Sequence, residues 1–135
     1  MTKEKKYKLL ENDTITVGGR TLRRIEALRD FADVEKGDKG GFVESEKNLS
    51  QEGNCWVSDN ALVCDKSWVC DDALIYGNAR VCDRAFVFCK ARVFGNAKVC
   101  GNVWVRDNAL VYGNAHVSGK IQVSGDCNIS DGMVR

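Results

Sequence analysis

The chain has no proline in 135 residues. Average usage would place roughly seven, and their absence points to a fold in which nearly every backbone N–H is engaged in hydrogen bonding. Histidine occurs once, as His116, so general-base chemistry and imidazole-rich metal sites have a single residue to draw on. No Cys-x-x-Cys pair or Cys/His group with zinc-ligand spacing surrounds it, and the seven cysteines are an odd number. Neither a disulfide framework nor a metal site is expected. The thiols read as small apolar or surface residues in a reducing compartment. An excess of charge of one sign is also lacking. Lys and Arg number 20 and Asp and Glu 19, a net charge of +1, which leaves no field to gather phosphate backbone or anionic lipid. Nucleic-acid and membrane partners are disfavoured. No apolar run reaches the roughly 18 residues of a membrane span, and the opening MTKEKKYK is too short and polar for a signal peptide. A single-domain cytoplasmic protein is expected.

What the chain does have is a period. From Gly53 it divides into consecutive hexapeptides: GNCWVS, DNALVC, DKSWVC, DDALIY, GNARVC, DRAFVF, CKARVF, GNAKVC, GNVWVR, DNALVY, GNAHVS, GKIQVS and GDCNIS. Thirteen units run to Ser130 with no inserted or deleted residue, and Asp131 to Arg135 begins a fourteenth. The fifth position is Val or Ile in every unit, and the first is Gly or Asp in all but one, where Cys89 stands. The third position is mostly small (Ala61, Ser67, Ala73, Ala79 and their successors). Positions three and five therefore share the buried side of a short strand, while four and six face away. Gly or Asp followed by a polar residue supplies a bend that tolerates positive φ. A strand this short cannot bury its apolar side alone, so the turns coil around a shared interior and stack.

Residues 1–52 break the pattern and form a cap and an irregular first coil; residues 53–135 form the repeat domain. Tyr7 to Leu10, Ile15 to Val17 and Leu22 to Ile25 read as short strands, with Gly18-Gly19 as a turn. Ala27 to Phe31 is expected to form a brief helical turn. Val43 follows Ile25 by the length of three hexapeptides and Leu49 follows Val43 by one, so the first coil is expected to begin before the clean repeat, with Val34 to Gly41 as an irregular side. The cap covers strand edges that a bare solenoid would expose.

The tandem Gly-Asn-Ala units and six-residue spacing resemble the hexapeptide-repeat family of left-handed parallel β-helices. That resemblance implies an all-β, three-sided solenoid with about 18 residues per coil, here about 4.6 coils over residues 53–135. The stretch from Arg29 to Val34, with Gly40-Gly41-Phe42-Val43-Glu44-Ser45, Asn48-Leu49-Ser50 and Gly53-Asn54-Cys55-Trp56-Val57, is similar to hexapeptide-repeat proteins of phages, prophages and gut bacteria. That likeness implies a host or defence protein, such as a CRISPR effector, as a partner to inhibit. The family's enzymes imply a second reading, a trimeric acyltransferase working from a pantetheine thioester. Such chemistry wants a His base and a pocket-forming loop. The repeat has no interrupting loop, and His116 occupies an outward slot shared with Arg80, Arg92 and Lys98. In the enzymes Gly directly follows the aliphatic residue, whereas here it comes two places later. No catalytic residue, cofactor or metal is assigned.

Sorted by coil, three hexapeptides to each, the outward residues are unequal. One side stacks Trp68, Phe86 and Trp104 beside Cys70, Phe88 and Arg106. A second stacks Tyr76, Phe94 and Tyr112, flanked by Trp56, Leu74, Arg92 and Leu110. The third carries Leu62, Arg80, Lys98 and His116 beside Cys64, Cys82 and Cys100, a thiol column with no imidazole or carboxylate expected against it. Two aromatic columns exceed what ladder stability needs. Trp68, Phe86, Phe88, Trp104, Tyr76, Phe94 and Tyr112 are therefore the candidate binding residues, for self-association into a homo-oligomer or for a protein partner. A nucleotide sponge, with interfacial aromatics stacked on bases, is a further alternative.

Overall fold

The computed structural model describes residues 5–135. From Trp56 to Ile129 the backbone forms two-residue strands, each holding positions four and five of a hexapeptide and separated by turns. Each pairs in parallel with the third strand after it: Trp68 with Phe86 and Phe86 with Trp104, Leu74 with Arg92, Arg80 with Lys98. The parallel strands therefore gather into three sheets that form the sides of a solenoid of about five coils. Every unit from Gly53 to Gly125 begins with a residue at positive φ, including six that are not glycine: Asp59, Asp65, Asp71, Asp83, Cys89 and Asp107, at φ between 57° and 61°. Asp is among the few residues with a side chain that visit this region readily. Cys89 holds the same geometry without that advantage.

The interior is a column of β-branched side chains. Val57, Val63, Val69, Ile75, Val81, Val87, Val93, Val99, Val105, Val111 and Val117 are wholly buried. The third position fills the space between them with alanine, or with Cys55, Ser67 and Val103, all buried; in the last two full units it is Ile121, half-buried, and Cys127, exposed. Ser67 remains buried by donating its hydroxyl to the Cys64 carbonyl at 2.6 Å. The backbone N–H groups of each coil reach carbonyls of the next, as in Phe86 N to Val103 O and Phe88 N to Val105 O, both at 2.9 Å. This continuous ladder accounts for the missing proline.

Before the repeat, β1 (Tyr7–Val17) and β2 (Arg20–Ala27) form an antiparallel hairpin around Gly18-Gly19, with a register shift between Leu9 and Thr14. β2 pairs antiparallel with β3 (Lys39–Val43), and β3 pairs in parallel with Leu62-Val63. The hairpin thus extends one side of the solenoid. The separation of Ile25 from Val43 is not a coil, because the register sets Arg23 opposite Val43 in an antiparallel pair; Ile25 reaches the core from the cap. Val43 and Leu49 do lead the first coil. Val43 pairs with Val63 and Leu49 bridges to Val69, so this coil is longer by two positions than those that follow. Ala27 ends β2, and no helix forms up to Phe31; the short 3-10 turn lies instead at Glu46–Asn48, capped by Ser45. Gly40 and Gly41 lie hard against the first coil, where a Cβ on Gly41 would stand 2.5 Å from the Ala61 carbonyl oxygen. At the far end His116 pairs with Met133 and Val117 with Val134. The fourteenth unit is one residue short, and Val134 takes the inward slot.

Candidate functional site

The three sides present different chemistry because strand direction repeats identically in each coil, so a residue type recurring at one position becomes a column. On the tryptophan side, Trp68 and Phe86 stack with centroids 5.0 Å apart and planes within 7°. Phe86 and Phe88 are 4.2 Å apart. Trp104 closes the group edge-on to both, at 5.7 Å from Phe86 and 5.8 Å from Phe88. All four predicted residues form one continuous patch. Phe86 and Phe88 are half-buried by their neighbours, whereas Trp68 and Trp104 keep 46% and 43% of their surface exposed. Beside the patch Cys70 is buried, and the Arg106 Nε is buried with no hydrogen-bond partner among the described residues.

The second column is also present. Tyr76 and Phe94 stack at 4.8 Å and 3°, and Phe94 and Tyr112 at 5.0 Å and 6°. It differs from the first in being only half-exposed throughout. Trp56 does not belong to the outer surface. It is 5% exposed, covered edge-on by Phe31 at 5.2 Å and Tyr7 at 6.3 Å. The cap loop with its Phe31–Val34 bridge folds down over this side's first outward slot, so that slot serves to attach the cap.

The cap is further secured by buried polar groups. Tyr7 donates its hydroxyl to the Leu49 carbonyl at 2.5 Å, and burial raises its phenol above the ordinary value. Lys6 is wholly buried and donates to the Cys55 carbonyl at 2.7 Å; burial lowers its ammonium from the ordinary lysine value.

On the third side the expectation of an isolated thiol ladder fails. Sγ of Cys82, Sγ of Cys100 and a carboxylate oxygen of Asp83 lie within 4.8 Å of one another, and His116 Nε2 is 3.6 Å from Cys100 Sγ. His116 is half-buried, not a fully solvated strand residue. The sequence contained the signal as cysteines three hexapeptides apart with Asp directly after the first, but coil-by-coil sorting of strand positions leaves out the corner residue. Burial, the neighbouring Cys100 and the Asp83 carboxylate together push the Cys82 thiol up to about 12. Burial and Asp83 also raise Cys100. The five corner aspartates do more than turn the chain: each of Asp59, Asp65, Asp71, Asp83 and Asp107 accepts a hydrogen bond from the backbone N–H at the same corner of the next coil, at 2.8–3.1 Å.

No family model matches the chain. A stretch of 38 residues, 28% of the chain, is 53% identical to part of a protein of Escherichia coli (strain K12) named as an uncharacterized acetyltransferase, YdcK. The match spans 12% of that protein's length. Among the described residues no helix is long and apolar enough to cross a membrane.

Proposed function

We propose that the protein is a non-catalytic binding and assembly module that docks through the patch of Trp68, Phe86, Phe88 and Trp104, first of all onto a second copy of itself. The observation that carries this reading is the pair of nearly half-exposed tryptophans on a stacked, continuous aromatic patch. The two tryptophans are joined by Phe86 and Phe88 into one contiguous apolar surface, and exposed apolar surface gathered in one place on a small protein is the usual material of a contact face. The half-exposed guanidinium of Arg106 at its margin supplies N–H donors suited to a carbonyl or carboxylate arriving across the interface. A two-fold pair uses the same patch on both subunits, so one such face is enough for a homodimer. The resemblance to phage proteins makes a host or defence protein the other class of occupant. The test is Phe86→Glu, which puts a charge at the centre of the patch and should abolish assembly or partner capture while the circular dichroism stays that of a β-solenoid. Arg80→Glu, on another side, is the control.

The second reading, a hexapeptide-type acyltransferase, is favoured by the short likeness to a protein named as an acetyltransferase. Against it stand the regular coils, which offer no loop to shape a thioester pocket, and the contact of His116 Nε2 with Cys100 Sγ. Calorimetric titration with acetyl-CoA distinguishes the two. A heat of binding lost in His116→Ala would support the enzyme, and its absence the binding module.

A further inference from the structure

From the third side of the solenoid we infer a site for a thiophilic divalent cation of the zinc class, held by Cys82, Cys100, Asp83 and His116. It lies apart from the aromatic patch and does not depend on the assembly reading.

The four residues come from three successive coils, and each is positioned by the repeat. Cys82 and Cys100 occupy the sixth position of hexapeptides one coil apart, so parallel pairing of Arg80-Val81 with Lys98-Val99 brings their thiols side by side. Asp83 follows Cys82 at the corner, where its positive φ, 59°, bends the chain. One carboxylate oxygen is fixed by the Gly101 N–H at 2.8 Å, a supporting hydrogen bond of the kind that orients metal-binding carboxylates. His116 stands one strand further on, opposite Lys98, with its Nε2 turned to Cys100 Sγ at 3.6 Å.

The donor set and spacing fit tetrahedral zinc. Bonds of about 2.3 Å to sulfur and about 2.0–2.1 Å to nitrogen or oxygen place neighbouring ligand atoms about 3.3–3.8 Å apart. The Cys100–His116 distance falls in that range, and the donor atoms of Cys82, Asp83 and Cys100 lie within 4.8 Å of one another; His116 touches this group at Cys100 and completes the set by rotation of its side chain. Two thiolates, an imidazole and a carboxylate favour zinc over magnesium or calcium, which take oxygen ligands. The ion has a route in: both cysteines are half-buried, Asp83 is exposed, and Asp83 also lines a corner groove of about 460 Å³.

The experiment is titration of the full, reduced chain with cobalt(II) as a spectroscopic probe, followed by displacement with zinc and metal analysis of the desalted protein. One ion per chain is expected, with thiolate-to-cobalt charge transfer in the near ultraviolet and the intense visible bands of a tetrahedral ion, all lost when zinc is added. Cys100→Ala and Cys82→Ala should each weaken binding by about 100-fold or more, and Asp83→Asn, which keeps the corner conformation, by at least about 10-fold. His116→Ala should shift the visible bands and leave the charge transfer in place. Cys64→Ala and Cys127→Ala should change nothing. Circular dichroism of every variant separates lost ligands from lost fold, and zinc should raise the melting temperature of the wild type but not of Cys100→Ala. Absence of charge transfer in the wild type, visible bands indifferent to His116, or a signal lost with Cys127 and retained without Cys100 would each overturn the site.

Discussion

The carboxylate of Asp107 accepts a hydrogen bond from the backbone N–H of Gly125, at the same corner of the next coil, at 2.8 Å. Asp107 itself is at φ 60°. One side chain therefore meets two demands of the coil, a left-handed corner and a link to the next layer. Replacement separates them. Asp107→Gly keeps the corner and loses a hydrogen bond worth about 1.5–3 kcal/mol when one partner is charged. Asp107→Ala loses the bond and adds a left-handed penalty of about 1–2 kcal/mol. Urea titration should rank wild type above Gly and Gly above Ala; equal stability for Gly and Ala would remove the conformational part of this explanation.

A single residue inserted between Arg80 and Val81 should unfold the coils that follow it, because every later valine would exchange the core for solvent. The same insertion after Ser130 should be tolerated. There the chain is one residue short, with His116 facing Met133, so an added residue restores the full length of the coil. Amide hydrogen exchange reads both outcomes. Protection lost at Val99 and Val117 in the first variant and retained in the second is the expected result; protection retained in both would refute the register.

Gly41→Ala should detach the cap. An added methyl group there meets the Ala61 carbonyl and Val57 side chain, both in the first full coil, and neither is free to move. A loss of roughly 1–3 kcal/mol is expected, as for overpacking in a core, accompanied by red-shifted Trp56 fluorescence in a Trp68→Phe/Trp104→Phe background. Unchanged fluorescence and melting temperature would show the cap to be held elsewhere.

Alkaline pH should unfold the protein through groups that stay protonated only when folded. Burial pushes the Cys70 thiol from about 9 to about 12 and raises the Tyr7 phenol. Above each ordinary value the unfolded chain binds fewer protons than the folded one, so stability falls as pH rises. Lys6 acts in the opposite sense. Its lowered value makes the unfolded chain the better proton binder up to 10.5, so its contribution grows until that pH and is then constant. The steep loss is therefore expected above pH 10.5, where only the raised groups still titrate. Cys70→Ala with Tyr7→Phe should lessen the fall of stability with pH in that range, the remainder coming from the other raised thiols such as Cys64 and Cys82, and a slope equal to that of the wild type would exclude Cys70 and Tyr7 as contributors.

The inward side of the fold was legible because one residue type solves one problem in every coil: Val57 to Val117 fill the same slot, and the same arithmetic assembled Trp68, Phe86 and Trp104. Legibility failed where spacing repeats by coincidence or where the chain leaves its period. Ile25 and Val43 have the coil spacing and lie in antiparallel strands. Trp56 occupies an outward slot yet is covered by Phe31, since the packing of a loop without periodicity cannot be read from period. Val134 reached the core through a one-residue slip at the last corner. The Cys82, Asp83 and Cys100 group is not legible from strand columns alone, because side chains of a corner and of two strand ends meet there.

The most direct test of the assembly claim is sedimentation equilibrium of wild type and Phe86→Glu over a wide concentration range, with Arg80→Glu alongside. Phe86 is in ring contact with Trp68, Phe88 and Trp104, so a carboxylate there lies at the centre of the proposed interface, where residues carry most of the binding energy. Wild type and Arg80→Glu are expected at a multiple of the 14.9 kDa chain mass, and a folded Phe86→Glu at the single-chain mass. A wild type that stays at the single-chain mass throughout, or a Phe86→Glu that assembles as the wild type does, would contradict the assembly claim.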